Sequence, residues 1–119
     1  MATHNELGKT GEQLAVDFLR AAGYEILERN WTYLKAEIDI IARKENTLAV
    51  VEVKTRSSID FGLPQDFVNP KKIRLLLVAV NAYVEMHDID TEIRFDIIAI
   101  HKTENDCIIE HLCDAFYYF

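Results

Sequence analysis

Cysteine is scarce in this chain: only Cys107 and Cys113 occur among its 119 residues. Two thiols six residues apart on one predicted strand are too distant to bridge, and they lack the spacing of metal ligands, so a disulfide framework is excluded. No apolar run approaches the roughly 18 residues of a membrane span, and the polar start, MATHNELGKT, does not resemble a signal peptide. These absences predict one cytoplasmic domain, residues 1–119, with no membrane partner.

Positive charge is also in short supply, since the formal net charge is −7 at pH 7. Nucleic-acid-binding proteins usually carry a basic balance, so this value argues against that class. The distribution weakens the objection, because the stretch from Lys54 to Arg74 holds five basic and two acidic residues. Such asymmetry would attract an anionic partner to one face. The alternative is ordinary surface charge.

The stretch from Ala36 to Arg56 has the pattern of a β-hairpin with charged side chains inside it. Charged and apolar residues alternate over residues 37–42, and residues 47–55 are rich in β-branched side chains and also alternate. A two-residue loop at Glu45-Asn46 would fix the register of the two strands. The expected pairs are Arg43 with Leu48, Ile41 with Val50, Asp39 with Glu52, and Glu37 with Lys54.

This register predicts that Asp39, Glu52 and Lys54 share one face of the hairpin. Opposed Cβ atoms lie only about 4.5–5.5 Å apart, and two carboxylates that close repel each other unless a cation lies between them. Mg²⁺ and Mn²⁺ prefer such oxygen ligands, and Lys54 would stabilise an anionic transition state. The alternative is a solvated strand face laced with salt bridges. The opposite face, packed against a helix, should hold Ile38, Ile40, Val51 and Val53.

Helices and further strands surround the hairpin. A helix over about residues 7–22 should end at Gly23, and a strand should follow over residues 24–33. Asn69-Pro70 should begin a second helix, whose apolar stripe is Ile73, Leu76, Leu77, Val80 and Val84. Strands are expected over residues 92–101 and 107–116. The order α-β-β-β-α-β-β predicts an α/β fold, a mixed sheet flanked by helices.

Three features near the second helix and the C-terminus suggest partners. Lys71 and Lys72 fall in the first helical turn, where positive charge opposes the helix dipole, which suggests a nearby anion such as phosphate. The alternative is two solvated lysines. Residues 57–69, which include Gly62 and Pro64, are expected to form a long loop, either a flap that closes over substrate or a segment that orders on binding DNA. The alternative is a flexible surface loop without a function. The aromatic tail, residues 116–119, would be a partner surface if exposed.

Seven sequence blocks carry a resemblance to a known family. Asp39, followed after twelve residues by Glu52-Val53-Lys54, is similar to the PD-(D/E)XK nuclease signature. The chain as a whole, from about Gly8 to Ile100, resembles the YraN family, small bacterial proteins similar to archaeal Holliday junction resolvases. The blocks are GKTGE at 8–12, GY at 23–24, RN at 29–30, EIDIIA at 37–42, VEVKTR at 51–56, PKK at 70–72 and RFD at 94–96. Ala36 departs from the family pattern, which usually has glycine there.

The resemblance implies a restriction-endonuclease-like fold and a metal-dependent DNA endonuclease. Asp39 and Glu52 would bind Mg²⁺ or Mn²⁺ with the Val53 carbonyl, and Lys54 would act on the attacking water or the transition state. Glu12 would help from the first helix, although an acidic residue near a helix start also has a purely structural explanation. The residues expected to contact DNA are Arg29, Arg56, Lys71 and Lys72.

The substrate suggested by resolvases is branched DNA, and symmetric cleavage of a junction would require a homodimer. Arg94 and Asp96 are expected to form an ion pair with a structural role. The alternative function is a non-catalytic nucleic-acid-binding or adaptor protein on the same fold. Metal binding separates the two, because an adaptor should tolerate loss of Asp39 without loss of DNA affinity.

Overall fold

A computed structural model of the protein describes residues 4–56 and 69–115, with side chains from residue 10 onward. Seven elements follow one another as predicted. They are α1 (His4–Ala21), β1 (Glu25–Tyr33), β2 (Ala36–Lys44), β3 (Thr47–Arg56), α2 (Pro70–Met86), β4 (Glu92–Lys102) and β5 (Cys107–Leu112). The proposed flap, apart from Asn69, and the aromatic tail lie outside the described residues.

The five strands form one mixed sheet in the order β1-β2-β3-β4-β5. Neighbouring strands run antiparallel except β3 and β4, which run parallel and are joined through α2. A parallel pair needs such a crossover, because a short turn cannot return the chain to the same end of the sheet. The α/β fold expected from the sequence is confirmed.

The sheet is buried on both faces, which explains the apolar runs of its central strands. On one face, Val16 and Leu19 of α1 pack against Val51 of β3 and Ile98 of β4. On the other face, four buried residues of α2 cover β2 and β3: Leu76, Ala79, Val80 and Tyr83. Leu77 was expected in this stripe but is 42% exposed, because the helix turns it about 100° away from Leu76.

Strand β2 changes face at Asp39, and this was not expected. Ile38 packs in the core on the α2 side, whereas Ile40 packs in the core on the α1 side. The neighbouring strand is irregular at the same level, since Asn30 has a φ of +53° and lies between the pairs Arg29–Ile40 and Trp31–Ile38. A residue in the left-handed region breaks the alternation of side chains. The prediction that Ile38 and Ile40 share a face is therefore wrong.

Residues with positive φ follow the C-terminal end of α1 and form the tight turns after β1 and β2. Gly23, with a φ of +95°, follows α1, as the sequence predicted. Nearby, the Lys44 ammonium donates to the Ala22 carbonyl at 2.6 Å, so a cation satisfies the C-terminal end of the helix. Within residues 4–56 and 69–115, neither helix is long and apolar enough to cross a bilayer.

Candidate metal and phosphate site

The candidate site lies where β2 and β3 separate. The predicted pairs Ile41–Val50 and Arg43–Leu48 form, and the ladder ends at Ile40–Val51. Beyond this point a side chain takes over the pairing of the two strands. Asp39 Oδ2 accepts a hydrogen bond of 2.8 Å from the Val53 N–H. The expected pairs Asp39–Glu52 and Glu37–Lys54 are thus absent from the ladder.

Asp39 and Glu52 nevertheless lie on one cavity of about 260 Å³ between the sheet and α2. Glu52 is only 6% exposed, because it continues the buried face of β3 that packs under α2. Asp39 is half-buried. The cavity is lined by Lys35, Ala36, Glu37, Asp39, Glu52, Lys72, Leu75 and Leu76.

Burial raises the pKa of the Asp39 carboxyl to about 7, and the charge of Glu52 adds to the effect. The Val53 N–H opposes the rise by hydrogen-bonding the charged form, whereas the Glu12 carboxylate reinforces it. Three acidic side chains from α1, β2 and β3 therefore act on one another. Such a cluster is stabilised by nearby cations or by protonation of one carboxylate.

Two lysines supply positive charge to Glu52 and meet at its Oε1. The Lys54 ammonium lies 3.3 Å from this oxygen, and the Lys72 ammonium lies 2.5 Å from it. Lys54 follows Glu52 by two residues on β3, so the two side chains share a face as predicted. Lys72 reaches the same oxygen from the first turn of α2. The backbone N–H of Lys72 donates to the side chain of the N-cap residue Asn69 at 2.9 Å.

Lys72 thus has an anionic partner, as the unfavourable helix position suggested, but that partner is a carboxylate of the same chain. Phosphate was the expected anion, and Glu52 takes its place in the protein alone. Lys71, the neighbouring residue, is exposed. The two lysines that the sequence grouped together therefore have different surroundings.

Glu12 approaches the site from α1 and is held there by Asn30, whose side-chain amide donates to Glu12 Oε2 at 3.3 Å. The preceding residue, Arg29, donates to Gln13 at 3.1 Å. These two contacts attach α1 to the irregular part of β1. Asn30 was missed as a site residue, although its position in the RN block was an available signal.

Gly11 allows α1 to come this close to the sheet. A Cβ at Gly11 would lie 1.9 Å from Thr55 Oγ1 and 3.0 Å from Thr55 Cβ. Helix and strand therefore touch at a point where only a hydrogen atom fits. Glu12 is the next residue, so this close approach determines how far its carboxylate reaches toward Asp39.

Three of the four residues expected to contact DNA have partners within the chain. Arg29 and Lys72 are engaged with Gln13 and Glu52, and the exposed Arg56 donates to the Thr55 carbonyl at 2.9 Å. Among the other predicted site residues, Asp39, Glu52, Lys54, Val53 and Glu12 come together from three elements. Their metal-binding and catalytic roles remain predictions.

The donor set fits a hard divalent cation. Carboxylate oxygens from two adjacent strands face one cavity, and their mutual repulsion contributes to the raised pKa of Asp39. Mg²⁺ and Mn²⁺ are bound by one or two such carboxylates together with water and phosphate oxygens. A metal held here would therefore still have open positions for a substrate phosphate.

A second cluster of polar residues, around Asp96, has a structural character. Asp96 is fully buried, and both of its oxygens accept hydrogen bonds from Arg94, at 2.9 and 2.8 Å. His111 lies 2.8 Å from the same carboxylate, and the Asp114 N–H donates at 3.1 Å. Cys113 Sγ is 3.7 Å from His111 Nε2. Because Arg94 already occupies both oxygens, the cluster is poorly suited to a cation, and the predicted ion pair is confirmed.

Replacing Asp39 with Asn should stabilise the metal-free protein. Asn retains an acceptor for the Val53 N–H but removes a charge that burial and Glu52 disfavour. The gain at pH 8 should be about 2 kcal/mol, since one pKa unit corresponds to about 1.4 kcal/mol and Glu52 shares the shift. Urea unfolding with EDTA present measures it.

The pH dependence provides the control for this prediction. The folded-state pKa of about 7 exceeds the ordinary value of 3.8, so the folded protein binds a proton that the unfolded chain has lost. Wild-type stability should therefore fall as pH rises from about 4 to 7, and Asp39→Asn should lack this decline. Glu37→Gln, an exposed change on the same strand, should behave as wild type. A destabilised Asp39→Asn would contradict the expectation.

Comparison with known proteins identifies the family. A profile of the uncharacterised protein family UPF0102 matches residues 11–100. A UPF0102 protein of Flavobacterium psychrophilum is 66% identical over 119 residues, covering all of both chains. One from Flavobacterium johnsoniae is 63% identical over 123 residues, again covering all of both chains.

More distant relatives extend the similarity to another genus. A UPF0102 protein of Bacteroides fragilis is 49% identical over 117 residues, which cover 98% of this chain and 97% of the relative. UPF0102 is the YraN family, which the seven sequence blocks indicated. The chain belongs to the uncharacterised protein family UPF0102.

Proposed function

We propose that this protein is a divalent-metal-dependent DNA endonuclease. The observation that carries the proposal is the meeting of Asp39 and Glu52 at one cavity, with Lys54 paired to Glu52 and Glu12 contributing from α1. The carboxylates supply oxygen ligands, and the lysine supplies a positive charge beside them. This combination of groups suits phosphodiester hydrolysis, because negative charge develops on phosphate oxygens during attack by water.

Asp39, Glu52, the Val53 carbonyl and Glu12 would hold Mg²⁺ or Mn²⁺, which lowers the pKa of a bound water and polarises a phosphate oxygen. Lys54 would contact the reacting phosphate. Its side chain is 26% exposed, and its ammonium lies 3.3 Å from Glu52 Oε1, which limits its range of positions. The Val53 N–H fixes the orientation of Asp39, which keeps the two carboxylates in place before substrate arrives.

The protein would contact DNA through the phosphate backbone. Arg56 and Lys71 are exposed, and such basic side chains suit phosphate contacts rather than base reading. Similarity to resolvases suggests branched DNA as the substrate. Cutting a four-way junction symmetrically requires two sites, so the active species would then be a homodimer.

The test is Mn²⁺-dependent nicking of a fluorescent four-way junction and of a matched linear duplex. Wild type should cleave, and Glu52→Ala and Lys54→Ala should each lose about 100-fold or more in rate, as for removal of a group that stabilises transition-state charge. Glu104→Ala and Lys102→Ala, two exposed changes of the same type near the β4–β5 turn, should leave the rate unchanged.

The outcomes separate the candidate functions. A faster rate on the junction than on the duplex would support branched DNA as substrate. Equal cleavage by wild type and by both site variants would point to a contaminating nuclease and overturn the assignment. Salt-dependent junction binding without any cleavage would instead favour the non-catalytic nucleic-acid-binding protein.

A further inference from the structure

Lys72 occupies a position that neither helix formation nor the nuclease signature requires. It lies in the first turn of α2, a turn with no acidic residue, where positive charge is unfavourable. Its side chain is 32% exposed and ends 2.5 Å from Glu52 Oε1. Lys54 already approaches the same oxygen at 3.3 Å. Two ammonium groups on one carboxylate oxygen repel each other, so a further interaction must stabilise the Lys72 ammonium at this position.

The surrounding negative charge provides the reason. The carboxylates of Glu12, Asp39 and Glu52 act on one another, and Lys54 alone leaves them under-neutralised. Lys72 also interacts with Asp39, since its charge lowers the pKa of that carboxyl. Its ammonium is therefore within range of both proposed metal ligands. This is the location that a bound cation would take.

We propose that the Lys72 ammonium is an internal cation that pairs with Glu52 in the metal-free protein and competes with the divalent cation for that carboxylate. When the metal displaces it, the ammonium pairs with a substrate phosphate instead. The proposal rests on the metal site of the proposed function and assigns a regulatory role to a residue outside the Asp39–Glu52–Lys54 set. It makes metal binding and phosphate binding mutually reinforcing.

Lys72 can move in this way, whereas Lys54 is more restricted. Lys54 lies on β3, whose backbone pairs with β4 on both sides of this residue, and it is only two residues from Glu52. Lys72 reaches across the gap between α2 and the sheet with a flexible four-carbon stem. The cavity that it lines gives the ammonium room to leave Glu52, and the N-terminus of α2 favours an anion beside it.

Isothermal titration with Mn²⁺, in the absence of DNA, tests the competition. Lys72→Met keeps the length of the stem but removes the competing charge, so it should bind Mn²⁺ about tenfold more tightly than wild type. Arg74→Met removes a positive charge from the same helix on an exposed position and should change the affinity less than twofold. Glu52→Gln should bind Mn²⁺ much more weakly.

A second measurement reads the displaced ammonium directly in the wild-type protein. The Lys72 side-chain amine resonance should shift as Mg²⁺ is added and should saturate with the metal, while most other lysines stay unchanged. Inorganic phosphate added to the Mg²⁺-loaded protein should then shift the same resonance again. Because this measurement uses the wild-type protein, it does not require a substituted variant to fold.

The results distinguish failure of this proposal from failure of the metal site. Wild-type or weaker Mn²⁺ affinity in Lys72→Met, with loss in Glu52→Gln, would overturn the competition and leave the metal site standing. Absence of Mn²⁺ binding in wild type and in Lys72→Met would overturn both. Binding by Lys72→Met alone would support the competition in its strongest form.

Discussion

Replacing Asp96 with Asn should cost about 3–5 kcal/mol of unfolding free energy, the usual penalty for breaking a buried ion pair from one side. Asp96 is fully buried and accepts hydrogen bonds from Arg94, His111 and the Asp114 N–H. Asn can accept at one atom only, and its NH₂ group would face donors. Arg94 would then remain partly buried without a counter-charge.

The same substitution should change how stability depends on pH. Burial would raise the pKa of Asp96, but the hydrogen bonds from His111, Arg94 and Asp114 outweigh it and lower the pKa below the ordinary 3.8. The stability that Asp96 contributes is thus present above about pH 4 and is lost as pH falls through the lowered value. The stability of Asp96→Asn should not show this loss at low pH.

Urea unfolding between pH 3 and 8 measures both effects. Asp90→Asn, an exposed change near the start of the same strand, is the matched control and should alter stability by less than about 0.5 kcal/mol. A loss below about 1 kcal/mol in Asp96→Asn would show that the network is not a main support of the β4–β5 side of the sheet.

Gly11→Ala should destabilise the protein, opposite to the usual effect of this change in a helix. Ala is normally favoured over Gly in a helix by about 1 kcal/mol. Here the new Cβ would lie 1.9 Å from Thr55 Oγ1, so α1 must move away from β3. We expect a net loss of about 1–3 kcal/mol from this overpacking, and a displaced Glu12 beside it.

A double-mutant cycle with Thr55→Ala identifies the cause. Thr55→Ala removes the Oγ1 atom but leaves its Cβ 3.0 Å from the new methyl group, so it should recover part of the loss in Gly11→Ala. Thr10→Ala, an exposed change in the same helical turn, should be nearly neutral. Additive effects of Gly11→Ala and Thr55→Ala in thermal unfolding would contradict the proposed clash.

Local pattern made most of the fold predictable. The period-two alternation of β2 and β3 and the two-residue turn determine the register as far as Ile40–Val51. The Asn69-Pro70 start of α2 was also readable, because capping depends on neighbouring residues. The meeting of Glu52 with Lys54 followed from their spacing on one strand, since residues two apart share a face.

Features produced by distant parts of the chain could not be predicted in this way. The change of face at Asp39 accompanies the positive φ of Asn30 on the neighbouring strand, which breaks the alternation that the prediction assumed. The contact between Lys72 and Glu52 joins residues twenty positions apart through the packing of α2 on the sheet. Neither has a local signal of its own.

The strand order has a consequence for how the protein folds. Among the five described strands, β1, β2 and β3 form a meander joined by tight turns, whereas β3 and β4 pair across 45 positions, as in Thr47 with Glu92. Local contacts form quickly, and distant ones must first overcome the entropy of loop closure. We therefore expect Asp39 and Glu52 to meet early in folding and Lys72 to reach them only when the crossover helix α2 docks.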